Sequence, residues 1–167
     1  MPTPAPQKKG ARRFAVRRSS IHNRGVFALA RIPAGTRIVE YKGERVSPAE
    51  AERRYDGKEE GDPSHTFLFA VDDDTVIDAT FGGNSARWIN HSCEPNCEVE
   101  DDDGRIFIHA LRTLRPGEEL LYDYSLFCDG ESATPEMKRQ YECRCGSKHC
   151  RGTMLDIEYR PKKKKKV

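Results

Sequence analysis

Apolar positions along this chain come in short bursts divided by turn residues. Phe14-Ala15-Val16 and Val26-Phe27-Ala28 flank the polar turn Ser20-Ile21-His22-Asn23-Arg24-Gly25, and each predicts a short strand. A second turn, Ile32-Pro33-Ala34-Gly35, leads into Thr36-Arg37-Ile38-Val39-Glu40-Tyr41, which alternates in the manner of a half-buried strand. Phe67-Leu68-Phe69-Ala70-Val71 reads as a buried strand, turned at Asp72-Asp73-Asp74 into Val76-Ile77-Asp78. Cys97-Glu98-Val99 and Arg105-Ile106-Phe107-Ile108-His109-Ala110 flank the acidic turn Asp101-Asp102-Asp103-Gly104 as a hairpin. Arg115-Pro116-Gly117-Glu118 turns the chain into Leu120-Leu121-Tyr122.

Helical signals are few. Ser47-Pro48-Ala49-Glu50 is a helix start: Ser47 caps, Pro48 takes the first helical position, and Glu50 stands where a capping box needs it. That helix should end near Tyr55, before Asp56-Gly57, with a polar, mobile loop to Ser64. A short helix is expected near Glu136 to Tyr141. The fold class is therefore mainly β, with several small sheets and short helices.

Composition sharpens this picture. The 167 residues suit one domain, and 36% apolar against 34% charged residues leave an economical core. No run approaches the ~18 apolar residues of a membrane span, and residues 1–10 hold no apolar stretch of the signal-peptide kind. Both point to a reducing, intracellular setting and to no membrane partner. There the six cysteines read as metal ligands or free thiols rather than a disulfide framework. The formal charge of +2 hides an asymmetry: residues 1–13 carry +4 and residues 160–167 carry +6, which leaves −8 between them. An acidic body favours encounter with basic proteins. The Lys162 to Lys166 run favours nucleic acid, and it also has the form of a nuclear localisation signal.

Three stretches carry candidate chemistry. Cys143-x-Cys145-x4-Cys150 places three thiols around a glycine turn, enough for three of the four ligands that zinc takes. By spacing alone the fourth is open among Cys93, Cys97, Cys128 and His149. The second stretch, Gly83 to Cys97, sets Asn90-His91-Ser92-Cys93 directly after apolar Trp88 and Ile89. Polar groups so placed need partners or a use. The third, Glu118 to Tyr124, ends in Tyr122-Asp123-Tyr124, which on its own would read as one face of a strand.

In this order the three stretches resemble the SET-domain protein-lysine methyltransferases with a post-SET zinc segment, over roughly residues 14–155. The resemblance implies an S-adenosylmethionine-dependent enzyme acting on lysines of a basic protein, histones or histone-like proteins first among them. It implies Cys93 as fourth zinc ligand beside Cys143, Cys145 and Cys150, the zinc being structural. His22, Arg24 and Gly25 match the first cofactor-binding motif, with Asn23 where the family has glycine. Asn tolerates left-handed backbone better than most residues. Phe67 stands where the family often carries a cofactor-side tyrosine, and Asn90 and His91 match residues at the adenine end. Tyr124 matches the catalytic tyrosine. Tyr122 holds the position that affects how many methyls are added and leans toward one or two. Tyr41 matches an aromatic of the lysine channel.

The resemblance also implies a C-terminal pseudoknot and a post-SET lid. The expected layout is a disordered basic arm over 1–13, a catalytic domain over 14–126, a post-SET segment over 127–156 and a basic tail over 157–167. Nucleus or chromatin is the expected location in a eukaryotic or host cell, the cytoplasm in a bacterial one. A second reading is a zinc-stabilised binding module without turnover that recruits partners to chromatin or DNA. It turns on Asn23, the weakest match in the site.

Overall fold

The computed structural model describes residues 12–56, 67–126 and 133–157. Residues 1–11 and 158–167, the loop after Asp56 and Cys128 lie outside the described residues. β1 (Phe14–Arg18) pairs antiparallel with β2 (Arg24–Ala28) across the polar turn. β3 (Arg37–Glu40), β8 (Cys97–Asp102) and β9 (Arg105–Ala110) form a three-stranded sheet with β9 central. β4 (Glu44–Val46), β5 (Leu68–Ala70) and β6 (Val76–Asp78) form another, with β6 central. β7 (Asn90–His91) and β10 (Leu121–Tyr122) make a short parallel pair. The helices are α1 (Pro48–Tyr55) and α2 (Pro135–Gln140), with one 3-10 turn at Ser85–Trp88. This is the expected mainly β architecture of small sheets.

Central position explains burial. β9 alternates little because both of its neighbours and the core cover it: Ile106, Phe107 and Ile108 are all buried. β6 is wholly buried for the same reason. β5 corrects the expectation of a buried strand. It is an edge strand, half-buried at Leu68 and Phe69 and exposed at Ala70. The acidic hairpin is also tighter than expected. β8 runs on through Asp102, and the turn is Asp103-Gly104, both at positive φ (52° and 80°), which suits a two-residue loop.

Ser47 caps α1 as expected, accepting from the Glu50 amide at 3.1 Å. The capping box closes only on that side, because the Glu50 carboxylate is held by Arg53 and Arg54 instead. Only Ala51 of α1 is buried. The helix is tied to β6 by polar contacts: Asp78 is fully buried and accepts from Arg54 at 3.1 Å and from the Tyr55 hydroxyl at 2.9 Å.

The segment 119–122 lies between two others. Leu120 N–H donates to the Val26 carbonyl at 2.7 Å on one side. On the other, Asn96 donates its side-chain amide to the Glu119 carbonyl and accepts from Leu121 N–H, both at 2.8 Å. Ser92 and Asn96 N–H add bonds to the Tyr122 and Leu121 carbonyls. The C-terminal stretch then runs beside it, with Leu155 bridged to Leu126.

Truncating the centre of this core should be costly. Ile108→Ala should lose about 2–5 kcal/mol of unfolding free energy in urea titration, while exposed Leu111→Ala should change it by under about 0.5 kcal/mol.

Candidate active site and metal centre

The turn before β2 is built tightly. Ser19 N–H donates to the Asn23 carbonyl at 3.1 Å, and Asn23 takes a φ of +27°. The departure from glycine at this position is thus accommodated, since Asn enters the left-handed region at modest cost. Gly25 is buried where a Cβ would meet Glu119 Oε1 at 2.0 Å. Only glycine lets β2 come so close to that carboxylate.

Glu119 was not singled out from sequence, yet it organises this corner. Its carboxylate accepts from the Ser19 hydroxyl at 2.8 and 3.0 Å and from the Asn90 amide at 2.8 Å. Asn90 also donates to the Arg24 carbonyl at 2.8 Å and reaches the His22 carbonyl at 3.4 Å. Both Asn90 amide hydrogens are therefore spent on holding the turn to the central stretch. A glutamate beside a motif is an ordinary surface residue by composition. Its Ser19 partner is 100 residues away, and no local pattern joins them.

His91 is buried, and its Nδ1 accepts from the Tyr124 amide at 3.0 Å. Burial lowers its pKa to about 4, opposed by Asp123 and helped by Arg151. The imidazole is thus neutral at neutral pH, with its proton on Nε2, which lies 3.5 Å from Cys93 Sγ. His22, Asn90, His91 and Tyr124 line one cavity, walled opposite by Arg139, Cys143, Arg144 and Met154 of the C-terminal segment.

The three site tyrosines gather on the inner side of that cavity. Tyr122 and Tyr124 rings are 4.9 Å apart, and Tyr41 packs on Phe69 at 5.3 Å. Burial raises the pKa of all three, and their mutual proximity adds to it for Tyr122 and Tyr124. All remain protonated phenols. The Tyr41 hydroxyl donates to the Phe67 carbonyl at 3.2 Å, and the Tyr124 hydroxyl donates to the Ile89 carbonyl. Among the three, Tyr124 alone lines the cavity.

Three residues of the expected cofactor set, Gly25, Phe67 and Arg24, do not line this cavity. Phe67 packs edge-on against Trp88 at 5.0 Å, and Arg24 is exposed over Trp88 at 5.4 Å; neither lines the cavity. Strand spacing could not show this, because which neighbour covers a side chain is a tertiary matter.

The thiols of Cys93, Cys143, Cys145 and Cys150 lie within 4.8 Å of one another. Sulfurs around a tetrahedral zinc at ~2.3 Å would stand about 3.8 Å apart, and Cys93 is 3.7 Å from Cys143 and 3.9 Å from Cys150. The donor set fits a soft cation. Burial raises the Cys145 thiol, but Ser147 and backbone donors outweigh it and hold the pKa at about 6. The other local candidates are used otherwise: Cys97 is a core residue, and His149 faces Glu94.

A second tie was missed from sequence. Asp123, between the two tyrosines, pairs with Arg151 at 2.6 and 3.2 Å. Burial raises the Asp123 pKa, and the Arg151 hydrogen bonds outweigh it and hold the carboxylate ionised.

A small β domain with a mixed polar cavity, a buried tyrosine cluster beside it and a four-thiol centre closing the cavity is a recognisable class. The family model of the SET domain matches residues 23–125. The chain belongs to the SET-domain family. Among similar curated proteins, the histone-lysine N-methyltransferase trithorax of Drosophila virilis is 43% identical over 141 residues, 80% of this chain and 3% of that protein. The histone-lysine N-methyltransferase, H3 lysine-4 specific, of Mycosarcoma maydis is 42% identical over 140 residues, 80% of this chain and 9% of its own. Histone-lysine N-methyltransferase 2B of Homo sapiens is 41% identical over 152 residues, 87% of this chain and 5% of its own. The chain thus spans under a tenth of the length of these relatives.

The Asp123–Arg151 contact should couple the tyrosine strand to the cysteine segment. A double-mutant cycle with Asp123→Ala and Arg151→Ala should give a coupling of about 0.5–3 kcal/mol in urea unfolding, against none for two surface changes.

Proposed function

We propose that this chain is an S-adenosylmethionine-dependent protein-lysine N-methyltransferase acting on histone or histone-like tails, adding one or two methyls. The observation that carries this reading is the position of Tyr124. It faces the cavity on one side and the Tyr122–Tyr41 cluster on the other, so it stands where two substrates would meet. The three relatives above bear histone-lysine methyltransferase names, one of them specific for lysine 4 of histone H3. That supports the substrate class, and chromatin in the nucleus as the setting.

The residues suit the cofactor. Its amino-acid end carries both charges, and the cavity wall offers Arg139, Arg144 and Glu142. Its adenine end suits the His22, Asn90 and His91 side. Asn23 keeps its turn at a φ of +27°, which supports the enzyme over a module without turnover. When bound, S-adenosylmethionine supplies an electrophilic methyl on a sulfonium.

The chain's own residues do the rest. Transfer needs a neutral amine, and free lysine has a pKa of about 10.4. A channel of buried aromatic rings disfavours the ammonium form. Tyr41 and Tyr124 have each spent their one hydroxyl donor on a carbonyl, so lone pairs remain to accept from an amine or a polarised methyl. Their high pKa values suit orientation rather than proton abstraction. Alignment of donor and amine then supplies most of the acceleration. Tyr122 is buried beside Tyr124, where it narrows the channel and its hydroxyl can hold a water or accept an amine proton. A zinc on Cys93, Cys143, Cys145 and Cys150 would hold the C-terminal wall of the cavity in place.

The test is transfer of labelled methyl from S-adenosylmethionine to a panel of purified basic proteins. Tyr124→Phe should lower kcat by about 10²-fold or more while cofactor binding persists. Trimethylated product as the main species would overturn the degree assigned to Tyr122, and no transfer despite bound cofactor would overturn the enzyme reading. Removing zinc with a chelator should open residues 133–157 to protease and lower cofactor affinity. Unchanged proteolysis and affinity would make the thiols unliganded.

A further inference from the structure

Residues 1–39 hold nine lysines and arginines and no aspartate or glutamate; the first acidic residue is Glu40. Half of the other described arginines face carboxylates, Arg37, Arg54, Arg105, Arg112 and Arg151 among them. Arg17, Arg18 and Arg24 differ. All three are exposed, and none has an ion pair with a described residue.

Their placement is dictated by the β1–β2 register, which sets Arg18 directly opposite Arg24 and Arg17 opposite Gly25. Residues directly opposite in an antiparallel pair project to one face with Cβ atoms about 4.5–5.5 Å apart, and like charges there repel. The ribbon therefore carries a cross-strand cationic pair with no counter-charge among the described residues. A bound anion would relieve the repulsion. Arg17, Arg18 and Arg24 line an open groove with Val16, Asn23 and Trp88, and this groove shares no lining residue with the candidate active-site cavity.

We propose that this groove is a contact surface for the phosphodiester backbone of duplex DNA. Charge complementarity carries the choice of a polyanion. Trp88 decides between duplex and single strand. Its ring is engaged by Arg24 at 5.4 Å, Arg87 at 5.2 Å and the edge of Phe67 at 5.0 Å. It is occupied by protein and is no platform for stacking an unpaired base, which single-strand binding uses. Guanidinium forks on exposed strands suit phosphate oxygens instead. A DNA contact here is independent of methyl transfer. It is also distinct from the lysine run at the C-terminus, whose charge alone would attract any polyanion.

The experiment is fluorescence anisotropy of the full chain on a labelled 20-bp duplex over a salt series. Arg17→Gln with Arg18→Gln should weaken binding by about tenfold and flatten the slope of log affinity against log salt by about 1.8, at ~0.9 per phosphate contact. The same loss should appear when Lys162 to Lys166 are already glutamine. Arg17→Lys with Arg18→Lys should keep most of the slope, and all variants should unfold at the parent's temperature. An unchanged slope in the glutamine variant, with binding lost only with the tail lysines, would overturn the assignment. Two further outcomes would as well: tighter binding to the single strand than to the duplex, or an equal loss on polyglutamate, which would make the groove an acidic-peptide surface.

Discussion

The fold hangs on the double-sided pinning of the segment from Glu119 to Tyr124. Only two of its residues form a strand, too few to be stable alone. Val26 holds it from β2, and the Asn96 side chain grips the carbonyl of Glu119 and the amide of Leu121 from the other side. A side-chain amide thus does the work of a ladder partner, as buried backbone groups must be paired. Glu119 then points back to Ser19, Asn90 and the space beside Gly25. The His22, Asn90, His91 and Tyr124 side of the cavity is positioned from this one segment.

The C-terminal segment is held differently. α2 buries none of its residues, and Thr153, Met154 and Leu155 are the only buried stretch that follows among the described residues. So little apolar burial does little to offset the entropy of ordering about twenty residues. The remaining ties are polar: Arg151 to Asp123, and three thiols drawn to Cys93. On the proposed reading, that division lets a structural metal govern one wall of the cavity while the pinned strand governs the other. His91 touches both, through the Tyr124 amide and the Cys93 sulfur.

Much of this was legible beforehand because it is local. Period and turn chemistry placed β1 to β3, β6, β9, the Ser47 cap and α2 close to where they lie. Turn residues at Asp103-Gly104 and Asn23 declared themselves by the backbone angles they tolerate. The three-thiol spacing marked a metal site, and the family resemblance supplied Cys93, which the structure brings to the other sulfurs. What escaped was burial by neighbours. β5 read as buried because it is apolar, yet it stands at a sheet edge. Phe67 packs edge-on against Trp88, a contact that strand period does not show.

The kinds of element, the turn positions and the cysteine cluster follow from residues within a few positions of one another, and the charge asymmetry from a count along the chain. Tertiary structure alone decided the partners: Glu119 with Ser19, Asp123 with Arg151, Arg18 beside an unneutralised Arg24, and Tyr124 between cavity and tyrosine cluster. These contacts depend on which segments cross and in what register. Side-chain period says which way a residue points along its own strand and is silent on what stands opposite.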